Sequence, residues 1–193
     1  MWKVSRSLRV RLKSSSILPT LPRHLMLILC LAICPSVHSG QANVAYLAGG
    51  CFWCTEAVFE EARGVTSVVS GYMQGAETIQ VTFDPSKTSY DKLLNLFWRA
   101  HNPTEVDSQG PDTGKQYRSA IFYVDEQQRT AAEKSKAQAQ KSFSKPIATE
   151  ITRAASFRPA PEKHQNFCRN NPNNPYVRQV IDPKLHKLGL KNP

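Results

Sequence analysis

The chain has 193 residues, with 25 Lys and Arg against 15 Asp and Glu and a formal net charge of +10. That length suits one domain with a sizeable core once the N-terminus is set aside. The charge is unevenly placed: residues 1–39 hold Lys3, Arg6, Arg9, Arg11, Lys13 and Arg23 and no acid, so removing these six leaves 19 bases against 15 acids, a net +4, and argues against a nucleic-acid partner.

Those basic residues are followed by an apolar run, 25–33, too short to span a bilayer comfortably. Val37 and Ser39 fit a small-residue cleavage site before Gly40. Residues 1–39 are therefore expected to be a signal or targeting segment, and the protein to be exported to a periplasm, secreted or membrane-anchored. Two other readings stay open. Leu31-Ala32-Ile33-Cys34 loosely resembles a lipoprotein acylation site, and an acid-free leader rich in Arg and Ser also suits an organelle address. A membrane is a partner only if the leader is retained or lipidated. Cleavage near residue 39 discards Cys30 and Cys34 and leaves Cys51, Cys54 and Cys168. Three cysteines suggest a reactive thiol in place of a static disulfide framework.

Residues 44–47 read as a strand, Gly49-Gly50 permits a sharp turn, and 55–62 has apolar residues at helical spacing before Gly64 stops it. Cys51 is thereby set at a helix N-terminus, where unpaired N–H groups and the positive end of the dipole favour an anion. A lowered Cys51 pKa and a thiolate at neutral pH are expected. Cys54, one turn on, is close enough for a disulfide. Phe52 and Trp53 could wall an apolar pocket beside the sulfur or be ordinary core residues. Consecutive helical positions face different sides, so at least one of the two lines a surface or cleft. Cys51 and Cys54 could also be half of a zinc site completed by His164 and Cys168. More than a hundred residues separate the pairs and no second Cys-x-x-Cys exists, so no metal is expected, and no cofactor.

Further along, 65–72 and 78–83 read as strands joined by a hairpin at Met73-Gln74-Gly75-Ala76, with Gly75 free to take a positive φ. Asp84-Pro85 breaks the chain. Thr88 or Ser89 then caps a helix whose apolar face is Tyr90, Leu93, Leu94, Phe97 and Trp98, ending near Asn102-Pro103. The polar stretch 104–115 is a loop long enough to carry function. Residues 117–124 form a strand, Asp125 caps a solvated helix over 126–142, 147–151 is a strand, 161–169 a short helix, and 170–174 irregular. There are no repeats and no second domain, so 40–193 is one α+β domain with helices against a mixed, partly antiparallel sheet.

The Gly50-Cys51-Phe52-Trp53 motif, the Phe83-Asp84-Pro85 turn, Gln116-Tyr117-Arg118-Ser119 and His164-Gln165 together make residues 43–190 closely resemble the A-type peptide methionine sulfoxide reductases. The resemblance implies a ferredoxin-like α/β sandwich and reduction of methionine-S-sulfoxide, free or in proteins, with repair of oxidised proteins as the consequence. It implies that Cys51 attacks the sulfoxide sulfur and is left as a sulfenic acid that a second thiol, Cys54 or Cys168, resolves to a disulfide. Glu77 occupies the family's acid position, where a carboxyl with raised pKa would protonate the sulfoxide oxygen. Asp112 and Tyr117 match polar pocket residues, and Phe52 and Trp53 match the pair that holds the substrate methyl group. Thioredoxin, or a thioredoxin-like thiol relay in an exporting cell, is the implied reductant.

Three positions depart from that pattern. Between Gly75 and Ala76 the chain lacks a loop of about fifteen to twenty residues, which in the family supplies another tyrosine and a Gly-His before the acid. Tyr176 is followed by Val177 where many relatives have a resolving cysteine. Pro111 replaces a residue that is usually Asn. Two alternatives follow: a general thiol-disulfide oxidoreductase using Cys51 and Cys54, or a loop-shortened remnant that binds peptides without activity.

Overall fold

The hydrophobic alternation that marks the strands sorts their side chains onto two faces of one sheet. The computed structural model describes residues 43–190, and the expected leader, 1–39, lies outside the described residues. In chain order the elements are β1 (Val44–Gly49), α1 (Phe52–Glu60), β2 (Val65–Met73), β3 (Ala76–Phe83), α2 (Tyr90–Ala100), β4 (Ser108–Gln109), β5 (Asp112–Thr113), β6 (Ser119–Tyr123), α3 (Glu126–Ala139), β7 (Glu150–Arg153), β8 (Arg158–Pro159), α4 (Phe167–Asn170) and α5 (Asp182–Leu188).

Six strands form a sheet in the order β7-β6-β1-β3-β2-β8. Its pairings are antiparallel except for β6 with β7. The central order β6-β1-β3-β2, with α1 between β1 and β2 and α2 between β3 and β6, is the ferredoxin-like split βαβ arrangement. On one face Ala45, Leu47, Ile79, Val81 and Ile121 pack with Val58 and Phe59 of α1 and Leu94 and Phe97 of α2. On the other, the alternate residues Ala48, Met73, Ala76, Ala120 and Phe122 are covered by Tyr46, Ala154 and Phe157. Gly71 is needed there: a Cβ on it would lie 2.4 Å from the Phe157 ring.

The β2–β3 hairpin is tight. Met73 and Ala76 pair directly, and both turn residues, Gln74 (φ 49°) and Gly75 (φ 76°), are left-handed, which is the two-residue turn that suits strand twist. Arg118 Nη2 donates to the Gln74 carbonyl at 3.0 Å and fastens the tip.

Several boundaries differ from expectation. Helix α1 starts at Phe52, three residues early, because the Cys51 carbonyl accepts from both Cys54 N (3.1 Å) and Thr55 N (3.2 Å) and closes the first turn. Tyr117 ends a 3₁₀ turn, Lys115–Tyr117, and the strand begins only at Ser119. The 161–169 helix is split into Glu162–His164 and α4 by left-handed Asn166 (φ 50°). The stretch after Asn174, which periodicity leaves unassigned, forms a π turn, Val177–Ile181, running into α5. Its buried stripe is Val177, Ile181 and Leu185, at intervals of four.

Candidate active site around Cys51

Gly50 takes φ +91°, and a Cβ there would come within 2.6 Å of the Gln109 side chain. The turn after β1 therefore needs glycine twice over, for its conformation and for the close approach of the β4–β5 ribbon. That ribbon, inside the loop expected to carry function, brings Asp112 to the thiols. Cys51 is 6% exposed and Cys54 2%, and both are free.

The N-terminal end of α1 does not serve the Cys51 sulfur. The Phe52 N–H donates to Glu77 Oε2 at 2.9 Å, and the N–H groups of Cys54 and Thr55 go to the Cys51 carbonyl. The expected lowering of Cys51 is thus corrected. A hydrogen bond with Cys54, then burial and the nearby Glu77 charge, push the Cys51 thiol up. The same sulfur contact pulls Cys54 down to about 7, aided by the Lys184 ammonium and the Tyr176 hydroxyl. The two sulfurs form one proton-sharing pair that titrates as a unit.

Glu77 lies on β3 opposite Tyr72. Burial lifts its carboxyl to about 7, against the pull of the Phe52 amide and with a further push from Asp112. Tyr117 faces the same cluster: burial, Glu77, Asp112 and Cys51 push its phenol up. Asp112 Oδ2 accepts from Tyr176 Oη at 2.5 Å, and that oxygen lies 3.6 Å from Cys54 Sγ. So Cys51, Cys54, Glu77, Asp112 and Tyr117, scattered over more than sixty positions, meet.

An aromatic wall stands beside them. Phe52 is buried and Trp53 half-buried. Trp53 lies flat on Phe167 with centroids 3.6 Å apart, and His164 stacks near it at 5.7 Å. Phe52 meets Tyr72 edge-on at 5.5 Å and His164 at 5.8 Å. His164 is therefore a ring neighbour of the site. Among the described residues no group of three or more His, Cys, Asp or Glu could hold a metal ion.

Cys168 sits in α4, 5% exposed, in the same core cluster as Cys51 and Cys54, with burial pushing its thiol up to about 11. Three residues have a role here that the sequence did not assign them. Tyr176 is one. Glu56, 1% exposed, accepts from Asn166 N (3.0 Å) and Phe167 N (3.1 Å), holding the left-handed kink that lays Phe167 on Trp53. Gln165 exchanges two hydrogen bonds of 2.9 Å with the Ser70 backbone and clamps the C-terminal segment to β2. A charged residue on the buried face of α1 was the available signal for Glu56. Nothing local marks Tyr176.

Residues 43–192 match the profile of the peptide methionine sulfoxide reductase family. Peptide methionine sulfoxide reductase MsrA 1 of Rhodopirellula baltica is 44% identical over 163 residues, 76% of this chain and 85% of its own. Since 76% of 193 residues is about 147, some sixteen of those 163 aligned positions have no counterpart here, in keeping with the shortened hairpin. The crystal structure of Mxr1 from Saccharomyces cerevisiae in reduced form superposes with a TM-score of 0.66 at 30% identity, covering 68% of this chain and 86% of that one. Mxr1 in complex with Trx2 superposes with a TM-score of 0.50 at 27% identity, covering 64% and 83%. With a matching profile over most of its length, a relative at this identity and a shared fold, the chain belongs to the peptide methionine sulfoxide reductase family, A type.

Proposed function

We propose that this chain reduces methionine-S-sulfoxide, free or in proteins, with Cys51 as the nucleophile, Glu77 as the proton donor and Cys54 as the resolving thiol. Glu77 carries the reading: it is a buried carboxyl on the Phe52 amide, next to the thiol pair, with its pKa lifted to about 7. A sulfoxide oxygen leaves poorly unless protonated, and an acid of that strength can supply the proton at neutral pH.

In the first step the Cys51 sulfur bonds to the sulfoxide sulfur, drawing on the negative charge it shares with Cys54, while Glu77 protonates the oxygen. The protonated oxygen passes to the Cys51 sulfur as the substrate S–O bond breaks, the S–S bond just formed breaks with its electron pair going to the substrate, methionine leaves as the sulfide, and Cys51 is left as a sulfenic acid. Cys54 then attacks the Cys51 sulfur, the second S–O bond breaks, and water departs as the disulfide forms. Two thiols are oxidised for one sulfoxide reduced, so an external dithiol resets the enzyme. The Mxr1 complex with Trx2 supports a thioredoxin-type donor. Phe52 and Trp53 hold the substrate methyl group, and Asp112 and Tyr117 orient the oxygen. Three groups around the thiols support this despite the missing loop: Tyr176, Tyr117 and Asp112. The acid-free leader supports export, and N-terminal sequencing of the mature protein, expected to begin near Gly40, tests it.

The deciding assay is reduction of each methionine sulfoxide epimer beside reduction of insulin disulfides. Turnover of the S epimer alone is expected. Insulin reduction without sulfoxide turnover would establish the general oxidoreductase instead, and no turnover of either would establish the inactive remnant.

A further inference from the structure

The hydroxyl of Tyr176 touches both a carboxylate and a thiol of the site. It donates to Asp112 Oδ2 at 2.5 Å and lies 3.6 Å from Cys54 Sγ, reaching it from 122 residues away in sequence. The residue is held in place: its backbone N–H donates to Asn174 Oδ1 at 2.8 Å, its ring meets Trp53 edge-on at 5.9 Å, and Val177 behind it is buried. Cys54 is shut off from solvent, so this contact stands where water would otherwise solvate the sulfur.

A phenol has one proton. While Tyr176 gives it to Asp112, its oxygen can only accept from the Cys54 S–H. Once Cys54 ionises, the better use of the same proton is the sulfur anion, and Asp112 loses its donor. We infer that Tyr176, by dividing one proton between Asp112 and Cys54, governs the ionisation of Cys54 and readies it to close the disulfide on Cys51. The inference rests on Cys54 as the resolving thiol. Tyr176 is then a positioning residue that acts through Cys54. The other groups that bear on Cys54 are Cys51 at the start of its own helix, Lys184 from α5, Asp112 from β5 and Cys168 from α4, with Glu77 of β3 beyond Cys51. Lys184 favours the thiolate and Asp112 opposes it, and Tyr176 stands between the opposing charge and the sulfur. In the resolving step the Cys54 proton and the sulfenic hydroxyl leave together as water, so no outside oxidant is needed.

The two partners of Tyr176 predict shifts of opposite sign. In a Cys51→Ser background, alkylation of Cys54 by iodoacetamide is followed against pH and quantified peptide by peptide by mass spectrometry, which separates Cys54 from the other cysteines. Adding Tyr176→Phe removes the donor and should raise the Cys54 midpoint by about one pH unit. Adding Asp112→Asn removes an opposing charge and leaves only a weaker, neutral acceptor for the Tyr176 proton, and should lower it. Loosened packing would move both variants the same way, so shifts of one sign, or none, overturn the inference. With Cys51 intact, Tyr176→Phe should lengthen the life of the sulfenic acid, trapped with dimedone at pH 7, about threefold. An unchanged lifetime beside a mapped Cys51–Cys54 disulfide also overturns it. A Cys51–Cys168 disulfide in the unaltered protein would sink the resolving role of Cys54 instead, and leaves the titration result standing by itself.

Discussion

The two sides of the Cys51 thiol are built by different means. On the hairpin side a single carboxyl, Glu77, is buried on one backbone amide, and the loss of water lifts it to about 7. On the side of the β4–β5 ribbon and the C-terminal segment, Asp112, Tyr176 and Cys54 form a hydrogen-bonded chain, and the Cys51 contact, helped by Lys184 and Tyr176, lowers Cys54 to about 7 against burial and the Asp112 charge. Burial without a charge partner keeps a proton on an acid, whereas partners that favour the anion take one from a thiol. A reductase of sulfoxides needs both at one pH: a donor that is still protonated and a thiol pair that has given up one proton. The difference between the sides is thus a division of labour, and each side can be disturbed separately.

Removing the shared centre should have the largest effect. Cys51→Ser replaces the thiol with a hydroxyl that does not ionise at neutral pH, and single-turnover reduction of a sulfoxide peptide with excess dithiothreitol should fall to the limit of detection. Next comes the hairpin side. Glu77→Gln keeps the size and the hydrogen bond from Phe52 but holds no transferable proton, and should slow the chemical step by about 10² to 10⁴. Its pH profile sharpens the comparison. The acid must be protonated, so the rate falls as pH rises through about 7, while the thiol pair must lose a proton, so the rate climbs through about 7 from below. The unaltered protein should therefore show a bell centred near neutrality, and Glu77→Gln should keep only the rising limb; a bell that survives would reassign the alkaline limb to another group.

On the opposite side the effect depends on the reductant. Cys54→Ser should be far milder than Cys51→Ser with dithiothreitol, which reduces the sulfenic acid directly, but should stop turnover with a thioredoxin-type donor. Disulfide mapping after one turnover without reductant should show Cys51 linked to Cys54, and a link to Cys168 would transfer the role. The smallest expected effect is structural. Glu56→Ala leaves the part-buried Asn166 and Phe167 amides without their acceptor, and should cost about 1 kcal/mol in denaturant unfolding, with Trp53 fluorescence reporting the loosened Phe167 contact. An unchanged midpoint would mean that the Gln165 clamp alone holds the C-terminal segment.

Much of this molecule is local, and local features were readable. The apolar run of β1, the alternating residues of β3 and the amphipathic face of α2, capped by one of the two expected residues, Ser89, come from neighbours in sequence, so local pattern predicted them well. The Gly50-Cys51 junction was readable for the same reason: a strand, a glycine turn and a helix are contiguous. Glu77, Asp112 and Tyr117 were reached through motifs, since a carboxylate or a tyrosine carries no local mark of its role. Other features depend on contacts across the chain. The upward shift of Cys51 follows from Cys54 sharing its proton, from burial and from the Glu77 charge, and a rule about helix ends sees none of these. Cys54 meets Tyr176 only because Glu56 and Gln165 tie the C-terminal segment down and the Val177–Ile181 turn runs into α5. The sequence by itself determined which sulfur stands at the strand-to-helix turn, because that needs only adjacent residues. Which groups surround that sulfur, and so which atom holds each proton, was decided by tertiary structure, since ionisation answers to burial and to charges brought from distant parts of the chain.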